Sequence, residues 1–412
     1  MLARRQNLMG PNAPLFYRQP LVLARAKGVW LHDVAGRKYL DAYNNVAHVG
    51  HGHPAVVKAV QRQMARLNTH TRYLDAAVLD YHERLLDKFP RALGSVVLTC
   101  TGSEANDLAL RIARLGTGHQ GVIVTDWTYH GNTASVSEIS SAYNPRPVVP
   151  HVRYVRAPQA GGDFVEGVRR AIAYFRDSGI GLAAMLIDPV FSTDGLQAVP
   201  KGQVKQAVAL VRAAGGLYIA DEVQSGFGRL GRFWWGFQSH GVVPDLVTLG
   251  KAMGNGYPLA GVVGRRKLIA DFRREVMYFN TFGAGHAACA AGRAVLEVIE
   301  AEDLLANARS VGAALADDLR ALKDEHSCIG EVRGQGFFLG VEIVRERKDG
   351  DDPAPDPERT AQVVERMKDA GVLVSNIGRH DNVLKIRPPM PFAARHARLL
   401  VRALDQSLRP AR

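Results

Sequence analysis

Leu217-Tyr218-Ile219-Ala220-Asp221-Glu222-Val223-Gln224 is an apolar run that ends abruptly in two acids. A second run, Leu246-Val247-Thr248-Leu249, ends in Gly250-Lys251. Both are short and continuously apolar rather than alternating, so they read as strands buried on both faces. The pattern recurs at Ser95–Thr99, Gly121–Thr125, Ala183–Ile187 and Ala260–Gly264, with helical stretches between. Such alternation, from about residue 75 to about residue 290, predicts a mostly parallel α/β sheet. Ligands of these sheets sit beyond the strand C-termini. Asp221, Lys251 and the Gly102-Ser103 turn all fall at such ends.

The 412 residues, 47% hydrophobic and 22% charged, have ordinary globular composition and enough length for more than one domain. We expect an N-terminal segment, 1–50, that packs with a small domain, a large domain at 51–290, and the small α+β domain itself at 291–412. Val29–Asp33 and Lys38–Asp41 flank Ala35-Gly36-Arg37 as a hairpin, and Pro54–Leu67 reads as a helix. A long helix starts near 291, and Asp349–Pro355 is a polar surface loop. No apolar run approaches the roughly 18 residues of a membrane helix, and the N-terminus lacks the apolar core of a secretory signal. Cys100, Cys289 and Cys328 are too scattered for a disulfide framework, which predicts a reducing, cytoplasmic setting. The net charge of +12 and pI near 9.7 raise the question of nucleic acid. The basic residues are dispersed, so an arginine-rich surface or a taste for anionic substrates accounts for them, and no nucleic-acid partner is expected.

Thr101-Gly102-Ser103-Glu104-Ala105-Asn106 follows a strand and opens a helix. Glycine, a hydroxyl and free helix N–H groups make a phosphate cradle. The plain alternative is a helix N-cap. Trp127-Thr128-Tyr129-His130-Gly131 follows the next strand, where an aromatic can stack on a flat ring or simply cover the sheet edge. Gly226–Gly231 and Gly283–Ala288 fit dinucleotide-binding spacing but do not join strand to helix in a βαβ unit. His48, His51 and His53 lie in a glycine-rich turn with no nearby Cys or carboxylate, so no metal is expected. An acid and a lysine at neighbouring strand ends are the two ionic groups that a pyridoxal phosphate (PLP) enzyme needs. One keeps the pyridine nitrogen protonated and the other forms a Schiff base with the aldehyde.

Together these motifs resemble the class III (subgroup II) aminotransferases, a fold-type-I PLP family, over nearly the whole chain. The branch resembled most contains ethanolamine-phosphate phospho-lyase, through Asn44–His51, Asn68–Leu74, Tyr278–Gly283 and Leu384–Pro389. The resemblance implies Lys251 as Schiff-base lysine and Cα-proton shuttle, and Asp221 as partner of the pyridinium nitrogen. It implies Val223 and Tyr129, with His130, about the ring, Gln224 at the ring oxygen, and Gly102 and Ser103 at the phosphate. Thr281 would come from a partner subunit, which implies a homodimer with shared active sites. Asn44, Arg72, Lys385 and Arg387 are candidate substrate contacts.

The chain departs from the family where an arginine usually takes the substrate carboxylate. Here Lys385 stands there, with Arg387 two residues on and hence on the same strand face. Lysine lacks the bidentate fork, so pyruvate is expected ahead of 2-oxoglutarate as acceptor. Asp188 replaces the usual Glu before Pro189, and Gly283-Ala284-Gly285-His286 departs from the common Gly-Gly-Asn-Pro. The expected activity is amino transfer from an amine or amino acid to a keto acid. The alternative is a lyase that removes the same proton and expels a β-substituent, as from a phosphoethanolamine-like amine.

Overall fold

The computed structural model describes residues 1–11, 13–142, 149–159, 161–345 and 354–409. Three strands of a four-stranded first sheet come from the N-terminal stretch: β1 (Leu23–Lys27), β2 (Trp30–Asp33) and β3 (Lys38–Asp41). β2 and β3 pair antiparallel, Trp30 opposite Leu40 and Leu31 opposite Tyr39, which is the expected hairpin. A helix, Leu2–Met9, precedes them where only strands and turns were read. It buries none of its residues, so no core-facing stripe marks it in the sequence.

The central sheet has seven strands: β4 (Ser95–Thr99), β5 (Gly121–Thr125), β6 (Val152–Val155), β7 (Leu182–Ile187), β8 (Leu217–Asp221), β9 (Leu246–Leu249) and β10 (Ala260–Gly264). Their order is β4-β10-β9-β8-β7-β5-β6. Neighbours from β9 to β6 are parallel, while β10 runs antiparallel to both β4 and β9. Every residue of β5, β7, β9 and β10 is buried. Alternate residues serve opposite faces. Val122, Val124, Leu186 and Ile219 pack with the helix Gly102–Thr117. Ile123, Met185, Ile187 and Ala220 pack with Phe164–Asp177 and Gln203–Ala213. Each large aliphatic side chain so buried contributes about 1.5–3 kcal/mol. β6 escaped the sequence reading because Arg153 and Tyr154 interrupt its apolar run at the sheet edge.

The C-terminal part adds β11 (Ile329–Gln335), β12 (Phe338–Ile343), β13 (Val372–Leu373), β14 (Ser375–Ile377) and β15 (Val383–Ile386). β11-β12-β15-β14 form an antiparallel sheet in which Lys385 lies opposite Gly340. β13 instead pairs parallel with β3, joining the chain's N- and C-terminal stretches in one sheet. The helix expected near 291 begins at His286, its start hidden in the small residues Ala287, Ala288, Cys289 and Ala290. Of the polar loop Asp349–Pro355, residues 349–353 lie outside the described residues. Among the described residues no helix is long and apolar enough to cross a membrane.

Candidate active site

A cavity of about 250 Å³ opens beyond the C-terminal ends of the central strands. Thr101, Gly102, Ser103, Tyr129, His130, Gly131, Asp188, Asp221, Val223, Gln224 and Lys251 line it. The strands therefore bring together ten residues from the motifs quoted after β4, β5, β8 and β9, with Asp188 after β7 beside them. Thr101 caps the helix Gly102–Thr117, its hydroxyl accepting from the Glu104 N–H while the Glu104 carboxylate accepts from the Thr101 N–H. Such a cap contributes about 1 kcal/mol and aims the first helical turn at the cavity. The floor leaves no room for side chains at two glycines. A Cβ on Gly102 would meet Val223 at 3.0 Å, and one on Gly131, at φ +142°, would meet Ser103 Oγ at 2.5 Å. Lys251 has φ 35°, a left-handed backbone that non-glycine residues adopt only under local constraint.

Asp221 is held by donors on both oxygens. Oδ2 accepts from His130 Nδ1 at 2.7 Å and Asn106 Nδ2 at 3.0 Å, and Oδ1 accepts from the Val223 N–H at 3.0 Å. A carboxylate offers about four lone-pair sites, so one remains for a further donor. Burial alone would push this carboxyl up. The hydrogen bond from His130 and that ring's charge, then the Val223 and Asn106 bonds, bring it below the ordinary value. On the far side of the ring His130 Nε2 shares a 2.9 Å hydrogen bond with Thr128 Oγ1. Thr248 Oγ1 donates to Asn106 Oδ1 at 2.7 Å, which fixes the amide with its NH₂ toward Asp221. Asn106 and Thr248 were within quoted motifs but were given no role, since neither spacing nor type announces a contact across the sheet. Burial, then the nearby Arg387 charge, lowers the Lys251 amine to about 8.

Behind Gln224, Lys385 and Arg387 back the cavity as a second wall without lining it themselves. Both are only 4% exposed, and both donate to one acceptor, Gln224 Oε1, Lys385 Nζ at 2.9 Å. Arg387 Nε also donates to the Tyr43 carbonyl at 3.2 Å. Among the described residues neither cation has a carboxylate within ion-pair distance. Burial, then the Arg387 charge, drives Lys385 well below its usual value, and burial lowers Arg387 to about 10.

Other candidates lie elsewhere. Thr281 is exposed and lines a separate pocket of about 500 Å³ with His70, Cys100 and Phe282. Arg72 is exposed over the Phe279 ring, 4.1 Å from its centroid. Asn44 closes a local turn, accepting from the Val46 N–H at 2.9 Å. His48, His51 and His53 bond to Phe227 O, Asp41 and Glu302 respectively, and so do not converge. A cleft of about 780 Å³ between Lys201 and Arg333 contains none of the candidates.

A strand-end lysine, a buried acid with spare acceptor capacity and a glycine-rich helix N-terminus define a lysine-dependent PLP enzyme of the α/β kind. The comparisons narrow this. The class-III aminotransferase family model matches residues 16–408, and the chain belongs to that family. It is 39% identical to the alanine–glyoxylate aminotransferase 2-like protein of Drosophila melanogaster, over 95% of this chain and 83% of the relative. It is 36% identical to ethanolamine-phosphate phospho-lyase homolog 1 of Caenorhabditis elegans, over 99% and 93%. It is also similar to the structure of a phospholyase from Arthrobacter in complex with phosphoethanolamine, with 47% identity, 99% of both chains covered and a TM-score of 0.96. The family's cofactor is pyridoxal 5'-phosphate. The residues fit it: the cradle that a Cβ at Gly102 or Gly131 would fill suits a phosphate, and Asp221 keeps a lone pair for a ring N–H.

Proposed function

We propose that this class III enzyme acts on a small primary amine that carries an anionic group, with Lys251 moving the Cα proton. The observation that carries this is the pair Lys385–Arg387, buried with a neutral amide oxygen as shared acceptor. Two such cations are costly until an anion joins them. Bound PLP supplies an electron sink for the charge left at Cα. Gly102 and Ser103 hold its phosphate through backbone N–H and hydroxyl donors. Asp221, ionised and positioned by His130 and Asn106, keeps the ring nitrogen protonated. Val223 and Tyr129 would flank the ring, and Gln224 would lie near its oxygen. Lys251 anchors the cofactor covalently. Once displaced, its amine is a base whose lowered pKa suits work near neutrality.

Amino transfer to a keto acid, pyruvate ahead of 2-oxoglutarate, is the family's reaction and our first reading. Elimination of phosphate from a phosphoethanolamine-like amine has its own support. Two adjacent cations match the double charge of a phosphate more closely than the single charge of a carboxylate, and the reading agrees with the 47% whole-chain likeness to a phospholyase. PLP-loaded protein with phosphoethanolamine and no keto acid separates the two. Release of ammonia and phosphate establishes elimination. Turnover only with a keto acid, and conversion of the cofactor to its amine form by amine alone, establishes transfer.

The same reading includes a homodimer in which the partner subunit's Thr281 reaches the cofactor phosphate. Tyr73, Leu74, Met277 and Phe282 are 66–99% exposed around Arg72 and Thr281, an apolar surface of the sort that marks an interface. It also divides the chain into 1–50, 51–290 and 291–412, and places it in the cytoplasm, where three free cysteines are at ease.

A further inference from the structure

Gln224 is tied at both ends of its amide. Its Oε1 accepts from Lys385 Nζ and Arg387 Nη1, and its Nε2 donates to Ser192 Oγ at 2.7 Å. Ser192 is fully buried, and its hydroxyl donates in turn to Asp188 Oδ2. Asp188 is held by the N–H groups of Val190 and Ser192, both at 3.0 Å. A line of hydrogen bonds thus runs from a buried carboxylate through a hydroxyl and an amide to two buried cations.

The direction of each bond is fixed. Arginine only donates, so the amide oxygen must face Arg387, and Lys385 Nζ bonds the same atom. The amide nitrogen must then donate, which makes Ser192 Oγ an acceptor on that side and a donor toward Asp188. The amide therefore cannot flip without placing N–H groups against two cations and leaving Ser192 without its donor. Gln224 is the only side-chain acceptor shared by Lys385 and Arg387 among the described residues. It occupies, with a partial negative charge, the place that a full anion would take.

We infer that Gln224 is a removable plug in the anion seat and that Ser192, anchored on Asp188, is the positioning residue that holds it there. This rests on the reading that Lys385 and Arg387 receive the substrate's anionic group. An entering anion breaks two bonds to Gln224 Oε1 and replaces them with stronger charge-assisted ones. A neutral amine cannot supply that exchange and leaves the plug in place. The seat thereby discriminates by ligand charge, and the tightness of the plug sets the affinity for the anion.

Inorganic phosphate is the probe, titrated calorimetrically into PLP-saturated protein, whose cofactor cradle is already filled. Wild-type protein is expected to bind it, and Lys385→Met to lose that binding. Ser192→Ala frees the amide and should tighten phosphate binding several-fold. Gln224→Glu puts a permanent charge in the seat and should weaken it at least about tenfold. A merely structural role for Ser192 gives no tightening. If wild type and Lys385→Met bind phosphate alike, the anion seat itself is wrong. If binding needs Lys385 but Ser192→Ala is unchanged or weaker, the seat stands and the plug is overturned. Gln224→Glu binding phosphate as well as wild type overturns the plug by a separate route.

Discussion

The two walls of the site treat buried charge in opposite ways. Around Asp221 the buried charge is answered within the chain, with one lone-pair site to spare: His130, Asn106 and the Val223 N–H converge on the carboxylate, and Thr248 and Thr128 brace those partners. Around Lys385 and Arg387 two cations share one amide oxygen. The first wall is finished before any small molecule arrives and suits a resident group. The second is left short of negative charge and suits a visitor that brings it.

The largest effect should come between the walls. Lys251→Ala should lower turnover by about 10⁴ or more while the protein keeps weaker PLP binding, read from cofactor absorbance. Wild-type turnover in that variant would sink the mechanism. Next, Asp221→Asn removes the charge from the finished wall and presents an NH₂ group to two donors. Turnover should fall by about 10²–10³, and stability by about 1–3 kcal/mol as those donors lose their acceptor, measured by denaturant unfolding.

Lys385→Met sharpens the comparison. It should raise KM for an anionic amine about tenfold or more, yet leave the melting temperature unchanged or higher, because an uncompensated buried cation is replaced by an apolar chain. Equal loss of stability in Asp221→Asn and Lys385→Met would erase the distinction between the walls.

The smallest effect is a pH dependence. Glu222 is buried behind Asp221 and accepts from Ser225 Oγ and the Gly236 and Phe237 N–H groups, and burial raises it to about 7. Its folded pKa exceeds its unfolded one, so the folded state binds more protons between them. Its contribution is fully present below about pH 4.5, and is lost as pH rises to about 7, by roughly 3 kcal/mol in all. Glu222→Gln should flatten the stability profile in that window. An unchanged slope would assign it to other groups.

Much of the first wall was legible. Asp221 and Lys251 announce themselves because an apolar run ending in a charge is a local pattern, and Gly102-Ser103 sits at a recognisable strand-to-helix turn. Asn106 was in plain view but unread, because its contact joins a helix to the end of a strand 115 residues further along the chain. Ser192 had no signal at all. A serine in a loop is ordinary until Gln224 and Asp188 are found on either side of it. β6 failed for the same reason in reverse: its edge position, not its residues, makes it a strand.

Most of the buried strands, and the chemistry that stands at their ends, can be read from the residues alone. Hydrophobic period and turn residues act over a few neighbours, and so can be read from neighbours. Only the tertiary structure decided that Lys385 and Arg387 share an acceptor more than a hundred residues distant. That contact depends on the β12–β15 register, which sets Lys385 opposite Gly340, and on how the C-terminal sheet meets the loop after β8. Such meetings are fixed by the packing of whole layers, a property of the assembled core that no local stretch carries.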